Sequence, residues 1–442
     1  MRYTYAQALG WLALYLLLSL LPLAFSLAGE TPEPRPFWVE FGVGLGFVGL
    51  AMMGMQFLLT GRFRSFAAGL GLDNMLQFHR QSGLVAFFFI LAHPVVLILA
   101  EPKYLEFLDP RVYPDRALVL SVAMISLTAL IVTTLWRKTF GIPYEWWRSA
   151  HGGLALVVVF VGLVHVMIVG HYVDPLWKRL VWIGFTAAAM WMLIQGRVVR
   201  PLALKKLPWK VVEIRKERGE AWTVALEPDG HDGFDFTAGQ FAWLTIGPSP
   251  FSLQQNPFTI SSSAAREDRR VEFTIKELGD FTRTVKDIPM GTCAFVEGPF
   301  GEFALNDDAE EHGAVFFAGG VGITPVMSML QTMRDRGDRV PLQLFYANNC
   351  LEDVIFYEEI KALAEEMENL EVIWVLRDPP EGWEGEVGFI TAELLDRHKS
   401  PDNGHRRYYV CGPGPMMDAV ETKLVERGIQ GRRVFSERFD IV

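Results

Sequence analysis

Cysteine is scarce: there are three in 442 residues, Cys293, Cys350 and Cys411, all in the second half of the chain. The first 200 residues therefore offer no thiolate for a metal, and no disulfide framework is implied anywhere. Charge is also sparse before position 200. A basic excess is missing altogether: 41 Lys and Arg against 51 Asp and Glu leave a net charge of −10, which argues against a nucleic-acid partner.

What the chain has instead is hydrophobicity. Half of its residues are hydrophobic, a high share for a soluble protein, yet the charged ones cluster after position 200. The average conceals two different halves. Apolar runs at about 8–28, 38–60, 76–100, 117–136, 150–171 and 179–199 each approach the 20 or so residues that a bilayer core requires. The first, Leu9 to Leu27, has no small-residue cleavage site before Thr31-Pro32-Glu33-Pro34, so it reads as a retained helix rather than a signal peptide. Arg62, Arg64 and Arg80 flank the second connection, Arg137, Lys138 and Arg148 the fourth, and Arg197, Arg200, Lys205 and Lys206 follow the sixth span. Acidic residues dilute the other loops, so both termini are expected to be cytoplasmic, in a multi-pass protein of the plasma membrane.

Four histidines stand in this apolar half: His79 and His93, then His151 and His165, each pair separated by 14 residues. On an α-helix 14 positions advance about 21 Å and rotate by roughly 1400°, within about 40° of whole turns, so both members of a pair share a face. A lone histidine on an apolar helix is usually a packing residue. Two pairs repeating one spacing inside lipid-length segments, where ionisable groups are costly, point to ligation instead. Imidazoles from opposite sides suit two stacked six-coordinate b-type haems. Helices three and five run parallel by this topology, so His79 pairs with His151 near the cytoplasmic face and His93 with His165 near the outer face. Gly42, Gly46, Gly49 and Gly54, with Met52, Met53 and Met55, read as close helix packing. Phe87, Phe88 and Phe89 lie midway between His79 and His93, and one of them is a candidate to sit between the irons, the others being packing or lipid-facing. Arg62, Arg64, Arg80 and Arg148 are candidates for propionates, although the positive-inside bias also accounts for them. His171 breaks the spacing and reads as interfacial.

After a basic linker at 201–209 come short alternating strands: Lys210 to Ile214, Thr223 to Leu226, Phe241 to Ile246, Val271 to Lys276 and Cys293 to Val296. These predict a small antiparallel barrel over 210–308. From 309 to 442 strand and helix alternate. Ala314 to Ala318, Leu342 to Tyr346, Val372 to Leu376 and Arg407 to Val410 are the buried strands, and Val326 to Arg336, Glu358 to Met367, Thr391 to Arg397 and Met416 to Arg427 the helices, which is a doubly wound α/β domain. The turn Gly319-Gly320-Val321-Gly322-Ile323-Thr324-Pro325, between a strand and a helix, is a phosphate cradle by physical logic: glycines admit a pyrophosphate to the backbone amides, and the helix end favours its charge. Cys411-Gly412-Pro413 closes a later strand at the carboxyl edge, where such sheets bind ligands.

In this order the segments resemble the ferric reductase and NADPH oxidase superfamily of membrane flavocytochromes. The resemblance implies a six-helix transmembrane di-haem domain at 1–200, a ferredoxin-reductase-like FAD barrel and an NAD(P) domain. Asn256-Pro257-Phe258-Thr259-Ile260-Ser261-Ser262 stands where the family has a His-Pro-Phe-Thr flavin segment, which implies that Phe258 packs on the isoalloxazine and Thr259 bonds near its redox edge; Asn256 departs from the histidine. Gly279-Asp280-Phe281-Thr282 looks like the second flavin segment, which receives the pyrophosphate, and Gly298-Pro299-Phe300-Gly301 like the one that closes the barrel. Gly320, Gly322 and Thr324 match the family's nicotinamide-cofactor turn, and Cys411 and Gly412 the segment beside the nicotinamide. Phe435-Ser436-Glu437-Arg438-Phe439 resembles the terminal stretch in which an aromatic residue covers the flavin, with Phe439 the candidate and Asp440-Ile441-Val442 beyond it. Asn348-Asn349-Cys350 follows Phe345-Tyr346-Ala347 without an arginine for a 2′-phosphate, so NADPH and NADH stay equally open.

The implied reaction runs from NAD(P)H to FAD, to the haem of His79 and His151, to that of His93 and His165, and out. Oxygen reduced to superoxide is the leading acceptor. A ferric chelate is the nearest alternative, and an electron-feeding subunit for a partner protein is another. Calcium-binding loops are missing, so constitutive activity is expected.

Overall fold

The computed structural model describes residues 5–61, 72–399 and 405–438. The chain divides at Arg200/Pro201 into two compact units.

The first unit contains α1 (Tyr5–Leu27), α2 (Phe37–Leu59), α3 (Leu72–Ala100), α4 (Pro114–Leu135), α5 (Tyr144–Val169) and α6 (Leu176–Ile194). All six are long and apolar enough to cross a membrane. Where the apolar run at 150–171 marks the lipid-length segment, α5 begins earlier, at Tyr144, because Glu145, Trp146, Trp147 and Arg148 continue the helical hydrogen bonding through an interfacial first turn. At the other end α6 passes through a π-helical turn, Gln195–Val199, into α7 (Arg200–Leu204).

Helix α2 is the centre of this unit. Two-thirds of its apolar window (67%) is buried, against 11–22% for the other five, whose exposed leucines, valines and phenylalanines form a surface suited to lipid. Its glycines make the close approach: a Cβ on Gly46 would stand 2.8 Å from His93 Nδ1, one on Gly49 2.8 Å from Ile90 Cγ1, and one on Gly54 2.9 Å from Phe185. Met52, Met53 and Met55 fill the core around them. Phe88 points outward, while Phe87 and Phe89 pack into that core.

The second unit holds two sheets. In the first, β1 (Trp209–Lys216), β2 (Ala221–Pro228), β3 (Phe241–Ile246), β4 (Asn256–Thr259), β5 (Val271–Lys276) and β6 (Cys293–Phe300) pair antiparallel in the order β4-β3-β6-β1-β2-β5. A bridge between Ile260 and Phe273 joins the two ends and curls the sheet on itself around Trp209, Val211, Leu226, Leu244 and Phe273. Strand β4 carries a proline, which disguises it in the sequence; as an end strand it loses no ladder bond it needs. The short α8 (Asp280–Thr284) follows β5, and α9 (Asp307–His312) follows β6.

The second sheet is parallel, in the order β10-β9-β8-β7-β11-β12: β7 (Ala314–Gly319), β8 (Leu342–Asn348), β9 (Leu370–Leu376), β10 (Glu386–Val387), β11 (Arg407–Cys411) and β12 (Val434–Glu437). Helices α10 (Ile323–Arg336), α11 (Tyr357–Glu366), α12 (Ala392–Arg397) and α13 (Gly414–Glu426) accompany it. Helix α10 starts three residues before the expected Val326, since the glycine turn passes through one 3₁₀ turn directly into it. Strand β12 has no alternating pattern to announce it; Val434 and Phe435 are buried through pairing with β11. The strand order reverses between β7 and β11, the switch point where such sheets receive ligands.

Candidate redox sites

In the membrane unit the two histidine pairs meet. The ring centres of His79 and His151 are 6.3 Å apart, with planes at 66°, and those of His93 and His165 are 6.2 Å apart at 72°. A first-row metal–imidazole bond is about 2 Å and the ring centre lies roughly 1 Å behind the nitrogen, so two axial imidazoles on one ion stand about 6 Å apart. Two rings are oriented from behind. His93 Nδ1 donates to the Gly42 carbonyl at 2.8 Å, and His151 Nδ1 is 3.1 Å from the Thr134 hydroxyl, which leaves each Nε2 as the ligating atom. His79 Nδ1 and His165 Nδ1 are buried without a hydrogen-bond partner among the described residues. No third His, Cys, Asp or Glu joins either pair among those residues. That donor set suits a metal that brings its own equatorial ligands, as a tetrapyrrole iron does.

Around the His79–His151 pair, Trp147 lies 5.2 Å from the His151 ring, the Arg148 guanidinium is 5.9 Å from the Tyr144 ring centre, and Arg137 lies over both Tyr144 and Trp147. Arg62 and Arg64 lie outside the described residues. The Gln56 amide, buried on α2, donates to Ser82 Oγ at 3.1 Å, a polar link to α3 three residues past His79. At the other end of the bundle the His171 ring stands edge-on to Tyr172, whose hydroxyl donates to Glu40 at 2.5 Å, and Arg35 pairs with the same carboxylate.

In the second unit, Asn256 Nδ2 and Thr259 Oγ1 are buried with no partner among the described residues, two polar atoms in want of a ligand. Between them on β4, Phe258 stacks on Phe281 at 6.1 Å and 24°, which brings 256–262 and 279–282 together, while Pro257 and Asp280 face solvent. The Thr282 hydroxyl accepts from the amides of Leu278 and Gly279, both at 2.8 Å, and so shapes that turn. Ser261, two residues past Thr259, joins a buried hydroxyl network with Thr274 and the Glu272 carbonyl. Gly298 abuts Ala242, where a Cβ would come within 2.7 Å of its side chain. These residues fit a flavin whose ring and phosphates supply the missing partners.

At the switch point the glycine turn at 319–324 and the segment at 411–413 touch. A Cβ on Gly322 would lie 2.4 Å from the Cys411 carbonyl oxygen and 2.8 Å from Gly412 N, and one on Gly319 would lie 2.7 Å from both Met416 Sδ and Pro413 Cδ. Gly320 adopts φ +54° and faces open space, a cradle that a side chain would fill. Thr324 caps the turn through the Val321 carbonyl at 3.0 Å. Cys411 is fully buried, paired in register with Ala318 and Glu437. Nothing in the sequence singles out Tyr346: from the neighbouring strand β8 its hydroxyl donates to the Gly320 carbonyl at 3.1 Å, and burial pushes the phenol pKa up, so it stays a donor. Phe439 lies outside the described residues.

Six apolar helices, an antiparallel flavin-type barrel and a doubly wound nicotinamide-type sheet define a multi-pass membrane oxidoreductase. Residues 45–162 match the ferric reductase like transmembrane component, 201–320 an FAD-binding domain and 316–422 an oxidoreductase NAD-binding domain. The chain belongs to the ferric reductase and NADPH oxidase superfamily. The chain is similar to NADH-cytochrome b5 reductase 1 of Laccaria bicolor, 30% identical over 51% of this chain and 76% of that one. The corresponding protein of Debaryomyces hansenii is 32% identical over 37% of this chain, which spans 58% of its length. Among solved structures, a flavohemoglobin from Malassezia yamatoensis shares the fold at TM-score 0.51 and 18% identity, over 91% of this chain and 96% of that one.

Proposed function

We propose that the chain carries electrons from cytoplasmic NAD(P)H across the plasma membrane to an acceptor on the outer side, with both termini cytoplasmic. Two b-type haems, FAD and the nicotinamide supply the one- and two-electron chemistry; the protein's part is placement. The observation that carries this reading is the pair of imidazole couples, each at the separation that two axial ligands of one iron require. His79 and His151 would hold the inner haem, and His93 and His165 the outer one. Asn256, Phe258, Thr259 and the turn at 279–282 would bind FAD, with the 319–324 turn and Cys411-Gly412-Pro413 holding the nicotinamide cofactor. The apolar surroundings of the histidines keep water and protons from the irons, so that electrons alone cross. Oxygen is the leading acceptor, giving superoxide, and a ferric chelate is the alternative that the transmembrane family match favours. The chain purified in detergent with haem and FAD, given NADH or NADPH, should consume oxygen and feed a reporter that superoxide dismutase silences. Reduced haems inert to oxygen but rapidly reoxidised by a ferric chelate would assign metal reduction instead.

A further inference from the structure

The flavin-type barrel carries a line of buried polar side chains that neither flavin nor nicotinamide binding uses. Glu217, at the turn after β1, has an almost fully buried side chain, and its Oε1 accepts from the Thr223 hydroxyl at 2.7 Å. Thr223 Oγ1 lies 2.8 Å from Thr274 Oγ1 on the paired strand, and Thr274 Oγ1 lies 3.0 Å from Ser261 Oγ. All three hydroxyls are at most 3% exposed. Each is both donor and acceptor, so when the Ser261 hydrogen turns from the Glu272 carbonyl to Thr274 the line is polarised in one direction, Ser261 to Thr274 to Thr223 to Glu217. Ile260 points into the barrel core, which puts Thr259 and Ser261 together on the opposite face. Alternate positions in an extended chain lie about 6–7 Å apart, a gap that two hydrogen-bonded waters bridge.

At its far end the line reaches solvent. Arg215 binds Glu217 through Nε at 3.0 Å and also pairs with Glu213 and Glu272. It lines a cavity of about 440 Å³ with Ser263, Arg266, Glu272, Gln331 and Arg334, and Glu359 of α11 adds a negative charge on the same side. Burial pushes the Glu217 carboxyl above the ordinary carboxylate range, Arg215 and Thr223 pulling it back and Glu359 adding to the rise. A carboxyl so placed can take up a proton from the hydroxyl line and hand it to the cavity.

The reaction requires such an exit. Oxidation of NAD(P)H to NAD(P)⁺ breaks one C–H bond and yields two electrons and one proton. The electrons leave through the membrane unit to the external one-electron acceptor, while the proton stays on the cytoplasmic side. We propose that this proton leaves the flavin segment at Thr259 through bridging water and the line Ser261–Thr274–Thr223, with Glu217 as the exit carboxylate that delivers it to the Arg215-lined cavity. The inference rests on the flavin lying at 256–262.

The test uses the full-length holoprotein in detergent and a pH-indicator dye in stopped flow, reducing once with NADH and draining the electrons with ferricyanide. Thr223→Val, of the same shape but without the hydroxyl, should slow proton release about tenfold or more and raise its solvent isotope effect. Hydride transfer and the bound-flavin spectrum should stay unchanged. Thr223→Ser should restore the rate, and Thr274→Val provides an independent break should Thr223→Val fold poorly. Glu217→Gln, isosteric but unable to take up the proton, should slow proton release as much as Thr223→Val does, with hydride transfer unchanged. A flavin-loaded Thr223→Val that releases protons at the wild-type rate would overturn the relay alone. Wild-type protein that takes up no flavin would overturn the flavin placement and the relay with it.

Discussion

In the membrane unit a few polar groups stand in an apolar bundle, and several of them hold a histidine ring or a helix end. His93 is held by the Gly42 carbonyl, His151 by Thr134, and the buried Lys178 ammonium by the carbonyls of Ser26, in the last turn of α1, and of Glu30 just beyond it. The flavoprotein unit is the reverse. Its cradles are backbone turns, and their shape is set by what glycines leave empty and by hydroxyls such as Tyr346 and Thr282 that hold the turns from one side. One unit places atoms by side chains on rigid helices, the other by backbone at strand ends, and the two should respond differently to substitution.

The largest effect that would sharpen this contrast is expected at His165. His165→Ala removes half of the outer couple and should cut reduction of the external acceptor by roughly 100-fold or more. NAD(P)H-dependent flavin reduction in stopped flow should stay within about twofold. A parallel loss of both rates, in protein with full flavin content, would break the division of labour between the units. Next is Gly322→Val, whose Cβ would collide with the Cys411 carbonyl at 2.4 Å and force the two nicotinamide loops apart. An affinity loss for NAD(P)H of about tenfold or more is expected, because the cradle must open to accommodate it. Haem reduction by dithionite should be unaffected, and unchanged nicotinamide titrations would show that the contact is not needed.

A smaller effect is expected at Gly46. Gly46→Ala puts a methyl 2.8 Å from His93 Nδ1, and overpacking of this kind costs about 1–3 kcal/mol. The thermal midpoint should fall and the spectrum of the outer haem should change before that of the inner one. Identical shifts in both would mean that the strain is spread over the bundle. The smallest is a pH effect at Glu386, whose carboxyl pKa is held below its ordinary 4.5 by hydrogen bonds from Arg397 and His398. A depressed pKa contributes stability that is present above the ordinary value and lost as pH falls through the folded one. The thermal midpoint of the wild type should therefore decline more steeply below about pH 4.5 than that of Glu386→Gln. Equal slopes would make this exposed cluster energetically silent.

Much of this molecule was legible along the chain because its main signals are local. A 14-residue interval returns to the same helix face by geometry alone, six apolar runs of lipid length partition by composition, and a glycine turn between strand and helix admits phosphate whatever surrounds it. The fold class, the meeting of the two histidine pairs and the glycine turn between strand and helix follow from such patterns. Tertiary structure alone decided the rest, since it depends on residues far apart in sequence: the Gly42 carbonyl orients His93 across 51 positions, Ile260 meets Phe273 to curl the barrel, Tyr346 reaches Gly320, and Thr223 finds Thr274. No sequence period encodes those meetings, because side-chain direction and strand register are set by packing the whole unit at once.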